Sequence, residues 1–316
     1  MAAEDNRSND NVECVLRNGH CEGHTDFTFI ADGRKLMTCG LDMEVRVWPS
    51  DDNDDQQSTD DNTSFTIADT AYAIVANSTE FFIACDSNSV KSYAMADGEN
   101  ETTVCRFTTN ATHLDISADG KWLAASAADF TLKLINLETK DQTCFEGHAA
   151  PVLSVALDPK RQFIASSSCD GSVRVWNAET KTCVHYWSDC FPKSNDFENS
   201  KTLGRVCWEP TSGHLIAVPH IDRVDVHRRD TWDLVTTYRH NRLDEVSIAT
   251  YSSDGKYMAV GTSDGVVMIW DTVSANAEPI AKFFHNKSLR ITALKWMPKS
   301  STQLCFCDIN GQFGVL

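Results

Sequence analysis

The feature that most constrains this chain is an internal repeat. Short apolar runs, some with the alternation of a strand, are broken by turn residues and come back at a fixed interval. The clearest copy runs from Glu146-Gly147-His148 through Val152-Leu153-Ser154-Val155-Ala156-Leu157 to Phe163-Ile164-Ala165-Ser166-Ser167-Ser168-Cys169-Asp170-Gly171-Ser172-Val173-Arg174-Val175-Trp176. The same layout appears at Gly23-His24, Thr38, Asp42 and Val45-Arg46-Val47-Trp48. It returns at Val260-Gly261-Thr262-Ser263-Asp264-Gly265 and Met268-Ile269-Trp270-Asp271. In all three an Asp precedes the Trp by six residues, a spacing that worn copies keep at Asp129 and Ile135 and at Asn310 and Leu316. Gly33, Gly120 and Gly255, each after an Asp, lie fifteen residues before Trp48, Ile135 and Trp270. With Tyr93 and His227 as the most diverged anchors, the anchors fall at 48, 93, 135, 176, 227, 270 and 316.

A period of about 40–45 residues with Gly-His and Trp-Asp landmarks is the signature of WD40 blades, each a four-stranded sheet. The spacing therefore predicts an all-β, seven-bladed WD40 propeller over residues 12–316, after a disordered stretch at 1–11. An acidic loop is inserted at 49–64. Each blade is expected to carry a polar network. The Asp between second and third strands accepts from the Gly-His imidazole, and a Ser or Thr four residues earlier bridges imidazole and indole. Predicted sets are His24, Thr38, Asp42 and Trp48, and His148, Ser166, Asp170 and Trp176. A third, with Asp264 and Trp270, is incomplete, because Val260 stands where the hydroxyl belongs. Buried polar groups of this kind must satisfy one another, which fixes strand register. The ring closes if Val12-Glu13-Cys14-Val15-Leu16 supplies the outer strand the last blade lacks, leaving no open sheet edge.

Composition narrows the function classes. At 41% hydrophobic and 23% charged residues, the chain reads as globular. No apolar run reaches the roughly 20 residues of a membrane helix, and no membrane association is expected. Residues 1–11 are polar, so no export signal is expected. Twelve cysteines beside apolar residues then read as reduced, buried thiols of a cytosolic or nuclear protein. The His–Ser–Asp sets recur at the repeat period beside a Trp, and so read as structure instead of nucleophilic triads. Cys14, His20, Cys21 and His24 have only loose metal-like spacing. No catalytic residue, metal or cofactor is predicted. A glycosidase-type propeller would need facing carboxylates in its central channel.

Formal net charge is −17, which argues against a surface that binds nucleic acid all over. Asp51, Asp52, Asp54, Asp55, Asp60 and Asp61 make the inserted loop on the wide face acidic. The narrow face, built from the loops leading into each blade, carries cations in blades five to seven. The candidate partner or DNA face there is Lys193, Arg205, Arg239, Arg242, Lys287 and Arg290, with Lys201 beside them and nearby acids offsetting most of the charge. Phe130 follows Asp129 where Gly is usual, and is either tucked into the channel or a contact residue.

Arg106-Phe107-Thr108-Thr109-Asn110-Ala111, Gly147-His148-Ala149-Ala150-Pro151-Val152-Leu153-Ser154, the 166–176 run and Arg228-Arg229-Asp230-Thr231-Trp232 resemble the N-terminal WD40 domain of the acidic nucleoplasmic DNA-binding proteins. These are the WD repeat and HMG-box DNA-binding proteins, relatives of the yeast chromosome-transmission-fidelity adaptor. The resemblance spans essentially the whole chain. It implies a nuclear, chromatin-associated scaffold in DNA replication. Its implied partners are the replicative helicase complex and DNA polymerase alpha-primase, with a role in sister-chromatid cohesion. In that family, trimerisation and HMG-type DNA binding reside in C-terminal domains outside this sequence. The alternative is a general WD40 scaffold for signalling, ubiquitin-ligase or histone-peptide recognition.

Overall fold

The structure is a computed structural model that describes residues 14, 16–20, 26–49, 63–194, 203–243, 245–274, 278–285, 289–300 and 302–316. Residues 1–11 and most of the acidic loop lie outside them.

Seven four-stranded antiparallel sheets form a ring, and in six of them the strands follow chain order from the centre outwards. Blade 1 comprises β2 (Asp26–Ile30), β3 (Lys35–Cys39), β4 (Glu44–Pro49) and β5 (Ser64–Thr66). Blade 2 is β6 (Ala71–Ala76), β7 (Glu80–Cys85), β8 (Ser89–Ala94) and β9 (Thr102–Arg106). Blade 3 is β10 (Ala111–Ile116), β11 (Trp122–Ala127), β12 (Leu132–Asn136) and β13 (Gln142–Phe145). Blade 4 is β14 (Val152–Leu157), β15 (Phe163–Ser168), β16 (Val173–Asn177) and β17 (Cys183–Trp187). Blade 5 is β18 (Cys207–Trp208), β19 (Leu215–Pro219), β20 (Arg223–Arg228) and β21 (Leu234–Arg239). Blade 6 is β22 (Val246–Tyr251), β23 (Tyr257–Thr262), β24 (Val266–Asp271) and β25 (Ala281–Phe284). Blade 7 is β26 (Ile291–Trp296), β27 (Leu304–Asp308) and β28 (Gln312–Val315), with β1 (Arg17–Asn18) as its outer strand. The anchors expected from the repeat stand in the third strands, from Trp48 in β4 to Trp270 in β24, with Leu316 directly after β28.

Closure differs in detail from expectation. Among the described residues, the strand that completes blade 7 is β1, just beyond the expected segment, with Arg17 facing Phe313 and Asn18 facing Gln312. Cys14 and Leu16 instead pack against the apolar seam between blades 6 and 7. Residues 12, 13 and 15 lie outside the described residues.

The core is not one mass. Seven apolar clusters each lie between two adjacent blades, including blades 7 and 1, where Phe27 and Leu36 meet Ala293, Cys305, Cys307 and Phe313. Burial of flat sheet faces against neighbours is what drives a chain of identical units into a ring. Most of the eleven described cysteines are buried. Among the described residues no helix is long and apolar enough to cross a membrane.

Candidate functional site

The polar set of blade 4 is fully connected. His148 Nδ1 lies 2.9 Å from Asp170 Oδ2, and His148 Nε2 lies 2.8 Å from Ser166 Oγ. Trp176 Nε1 donates to the same Ser166 Oγ at 2.8 Å. Asp170 also accepts from the Ala149 and Ser172 backbone N–H groups and from Ser172 Oγ. An ionised Asp170 takes the proton of Nδ1, which leaves Nε2 to accept from Ser166, whose oxygen then accepts from the indole. Burial depresses the His148 pKa, more than the carboxylate raises it. Burial alone would raise that of Asp170, but its donors, His148 first, hold it well below the usual range. Every polar atom that a nucleophilic triad would need is committed to another. Gly147 makes this closeness possible: at φ +147°, a Cβ there would come within 3.1 Å of the Trp176 ring.

Blade 1 repeats the geometry with one correction. The imidazole on Thr38 and Asp42 is that of His20, at 2.8 Å from each, and not that of His24. Trp48 Nε1 completes the set on Thr38 Oγ1 at 2.9 Å. His24 itself lies outside the described residues. The signal was present: His20 precedes Asp42 by 22 residues, as His148 precedes Asp170. In blade 6, Asp264 accepts from Thr262 Oγ1, Val260 is buried, and Trp270 packs on Tyr238 at 5.6 Å.

The central channel holds polar groups that sequence reasoning missed. Asp26 is completely buried and accepts from the Ile74 N–H of the next blade. Arg205 Nη1 and Lys295 Nζ each lie 3.3 Å from Asp26 Oδ1. Lys295 also donates to the Phe27 carbonyl. On blade 3, His113 Nδ1 accepts from the Val155 N–H at 3.3 Å, and Asp115 Oδ2 from the Leu157 N–H at 2.7 Å. These side chains staple one inner strand to the next around the ring. Burial raises the Asp115 pKa to about 6. A cavity of about 400 Å³ opens among His113, Asp115, Arg205 and Lys295.

The narrow-face cations are largely spoken for. Arg205 is not on that face but in the channel, its side chain 9% exposed and paired with Asp26, because a buried carboxylate requires a counter-charge. Arg239 is exposed and paired with Asp222. Arg290 is half-buried, and burial depresses its pKa. Arg242 lies exposed with its guanidinium 5.6 Å from the Phe284 ring. Lys193 is exposed beside blade 4. Lys287 and Lys201 lie outside the described residues. The five described cations thus do not form one patch.

Phe130 is 43% exposed and adopts φ +74° in the turn between β11 and β12. Gly171, Gly265 and Gly311 take the same conformation in the matching turns. A bulky residue there is strained, and strain of this kind concentrates at contact sites. Beside it, Asp129 accepts from the Thr108 N–H at 2.8 Å and caps the Arg106-Phe107-Thr108-Thr109-Asn110 loop. Met43, exposed at φ +59°, holds the equivalent turn of blade 1.

Seven blades, with anchors in or directly after their third strands and imidazole–hydroxyl–carboxylate–indole sets in blades 1 and 4, place the chain among the WD40 propellers. Within that class the chain belongs to the family described as the WDHD1 first WD40 domain, whose profile matches residues 17–315. It is 36% identical over 95% of its length to the WD repeat and HMG-box DNA-binding protein 1 of Mus musculus, and 35% identical to that of Xenopus laevis. It is 23% identical over 90% of its length to the minichromosome loss protein 1 of Schizosaccharomyces pombe. The chain spans 26% of the two vertebrate proteins and 34% of the yeast protein.

Proposed function

We propose that this propeller is a non-catalytic protein-interaction module of a nuclear, chromatin-associated DNA-replication adaptor, one that links the replicative helicase complex to DNA polymerase alpha-primase. Supporting this reading are its family and relatives named for DNA binding and minichromosome loss. The observation that carries the interaction role is the narrow face. There a strained, exposed Phe130 sits beside Asp129, which ties its turn to Thr108 and Thr131, the arrangement of an anchor side chain for a partner. The committed state of the His148 and His20 sets supports the non-catalytic reading. DNA contact, on this reading, is local, and Arg242 and Lys193 are its exposed cations.

The test is capture from nuclear extract on the immobilised chain at two salt concentrations. Helicase and polymerase subunits retained by the parent and lost with Phe130→Asp support the adaptor. Recovery of ligase or chromatin-modifier subunits in their place would support the general scaffold reading and reject the replication role. Salt-resistant capture would assign the contact to apolar anchors, and salt-sensitive capture to charge.

A further inference from the structure

The repeat supplies an internal control for one position. Two residues before the anchor of blades 1 to 4 stand Arg46, Lys91, Lys133 and Arg174, all cations. In blade 1, Arg46 is 2.5 Å from Glu44 Oε2 and 3.4 Å from Asp42. In blade 2, Lys91 is 2.5 Å from Asp69 and 2.7 Å from Glu101. In blade 3, Lys133 donates to the Arg106 carbonyl at 2.6 Å. Arg174 in blade 4 is different. Among the described residues no carboxylate lies within ion-pair distance of it, and its buried Nε–H has no acceptor. The residue that corresponds to Glu44 is Ser172.

Arg174 is nonetheless held in place. Its guanidinium lies 6.0 Å from the Trp176 ring and 5.8 Å from the Tyr186 ring. It lines a cleft of about 370 Å³ on the narrow face, together with Ser172, Tyr186, Ser188 and Lys193. Lys193 is a second exposed cation with no carboxylate partner among the described residues. Asp170 is the one carboxylate lining the cleft, and it is engaged by His148, Ala149 and Ser172. Among the described residues, the cleft therefore presents an oriented guanidinium and an ammonium, neither of them within ion-pair distance of a carboxylate.

We propose that this cleft binds a phosphorylated serine or threonine of a partner polypeptide, with Arg174 as the two-pronged donor and Lys193 as the second cation. Two cations without a carboxylate partner among the described residues match the charge of one phosphoryl group, about −1.5 to −2, and a planar fork matches its oxygens better than a point charge does. This site goes beyond the replication reading and does not depend on which complex the domain joins.

The experiment is retention of the whole 316-residue chain on immobilised degenerate peptide libraries. One library carries a fixed phosphoserine or phosphothreonine, one the plain residue and one Glu. The parent is expected to be retained by the phosphorylated library at least tenfold more strongly than by the plain one. Arg174→Ala should abolish that preference, and Arg174→Lys, which keeps charge but loses the fork, should fall between. Ser172→Glu installs in blade 4 the carboxylate that neutralises Arg46 in blade 1 and should suppress binding, whereas Ser172→Gln, which loses the same Oγ–H donor to Asp170 without adding charge, should keep it. Equal retention on phosphorylated and plain libraries would overturn the proposal, as would full retention by folded Arg174→Ala. Retention on the Glu library equal to that on the phosphorylated one would replace the phosphoryl ligand with an acidic peptide.

Discussion

His20 Nδ1 lies 2.8 Å from Asp42 Oδ1, across the same 22-residue span that separates His148 from Asp170. The two blades are thus tied by one mechanism, three blades apart. His20→Ala removes the partner of both Thr38 and Asp42, and should lower stability by about 2 kcal/mol. His24→Ala should stay within about 0.5 kcal/mol of the parent. Denaturant unfolding of the two variants checks this, and equal losses would contradict the assignment.

That comparison also shows what local sequence carries. Blade number and third-strand anchors were legible because the period repeats along the chain. Two Gly-His dipeptides, Gly19-His20 and Gly23-His24, compete for one role, and only their distance to Asp42 separates them. The place of Arg205 is hidden from local sequence for a different reason. Arg205 and Asp26 are 179 residues apart, and no local pattern announces that pairing. Arg174 went unnoticed because a missing carboxylate is visible only once Arg46 has been seen with its own.

Asp115 should give the channel a pH signature. Its folded pKa of about 6 stands above the ordinary 3.8. The folded state therefore holds the proton more tightly, and the ionised carboxylate costs stability above pH 6, a cost that disappears as pH falls towards 4. Asp115→Asn cannot ionise. Its stability relative to the parent should rise by on the order of 1–2 kcal/mol between pH 4 and pH 7.5. Urea unfolding across that range reads the difference, and a constant offset would refute it.

Arg205→Met should cost about 3 kcal/mol, because it strips a completely buried Asp26 of one of its two cations. Adding Asp26→Asn should recover part of the loss. A double-mutant cycle with strictly additive losses would mean that the pair is not coupled.

Phe130→Gly separates stability from recognition. Glycine relieves the left-handed turn and should stabilise the fold by about 1 kcal/mol. The same variant should lose partner capture. A melting temperature that falls, or capture that persists, would show that the ring serves packing instead of contact.

The stapling of the channel has a kinetic consequence. Arg205 reaches back 179 residues to Asp26, and Lys295 reaches back 268 to Phe27. Neither link exists until blades 5 and 7 have been made, so the first blades emerge from the ribosome with Asp26 bare and one sheet face uncovered. Contacts of such sequence separation slow the search for the native state. The ring should therefore lock in a late, concerted step, and while it waits the nascent chain is a natural client for chaperones.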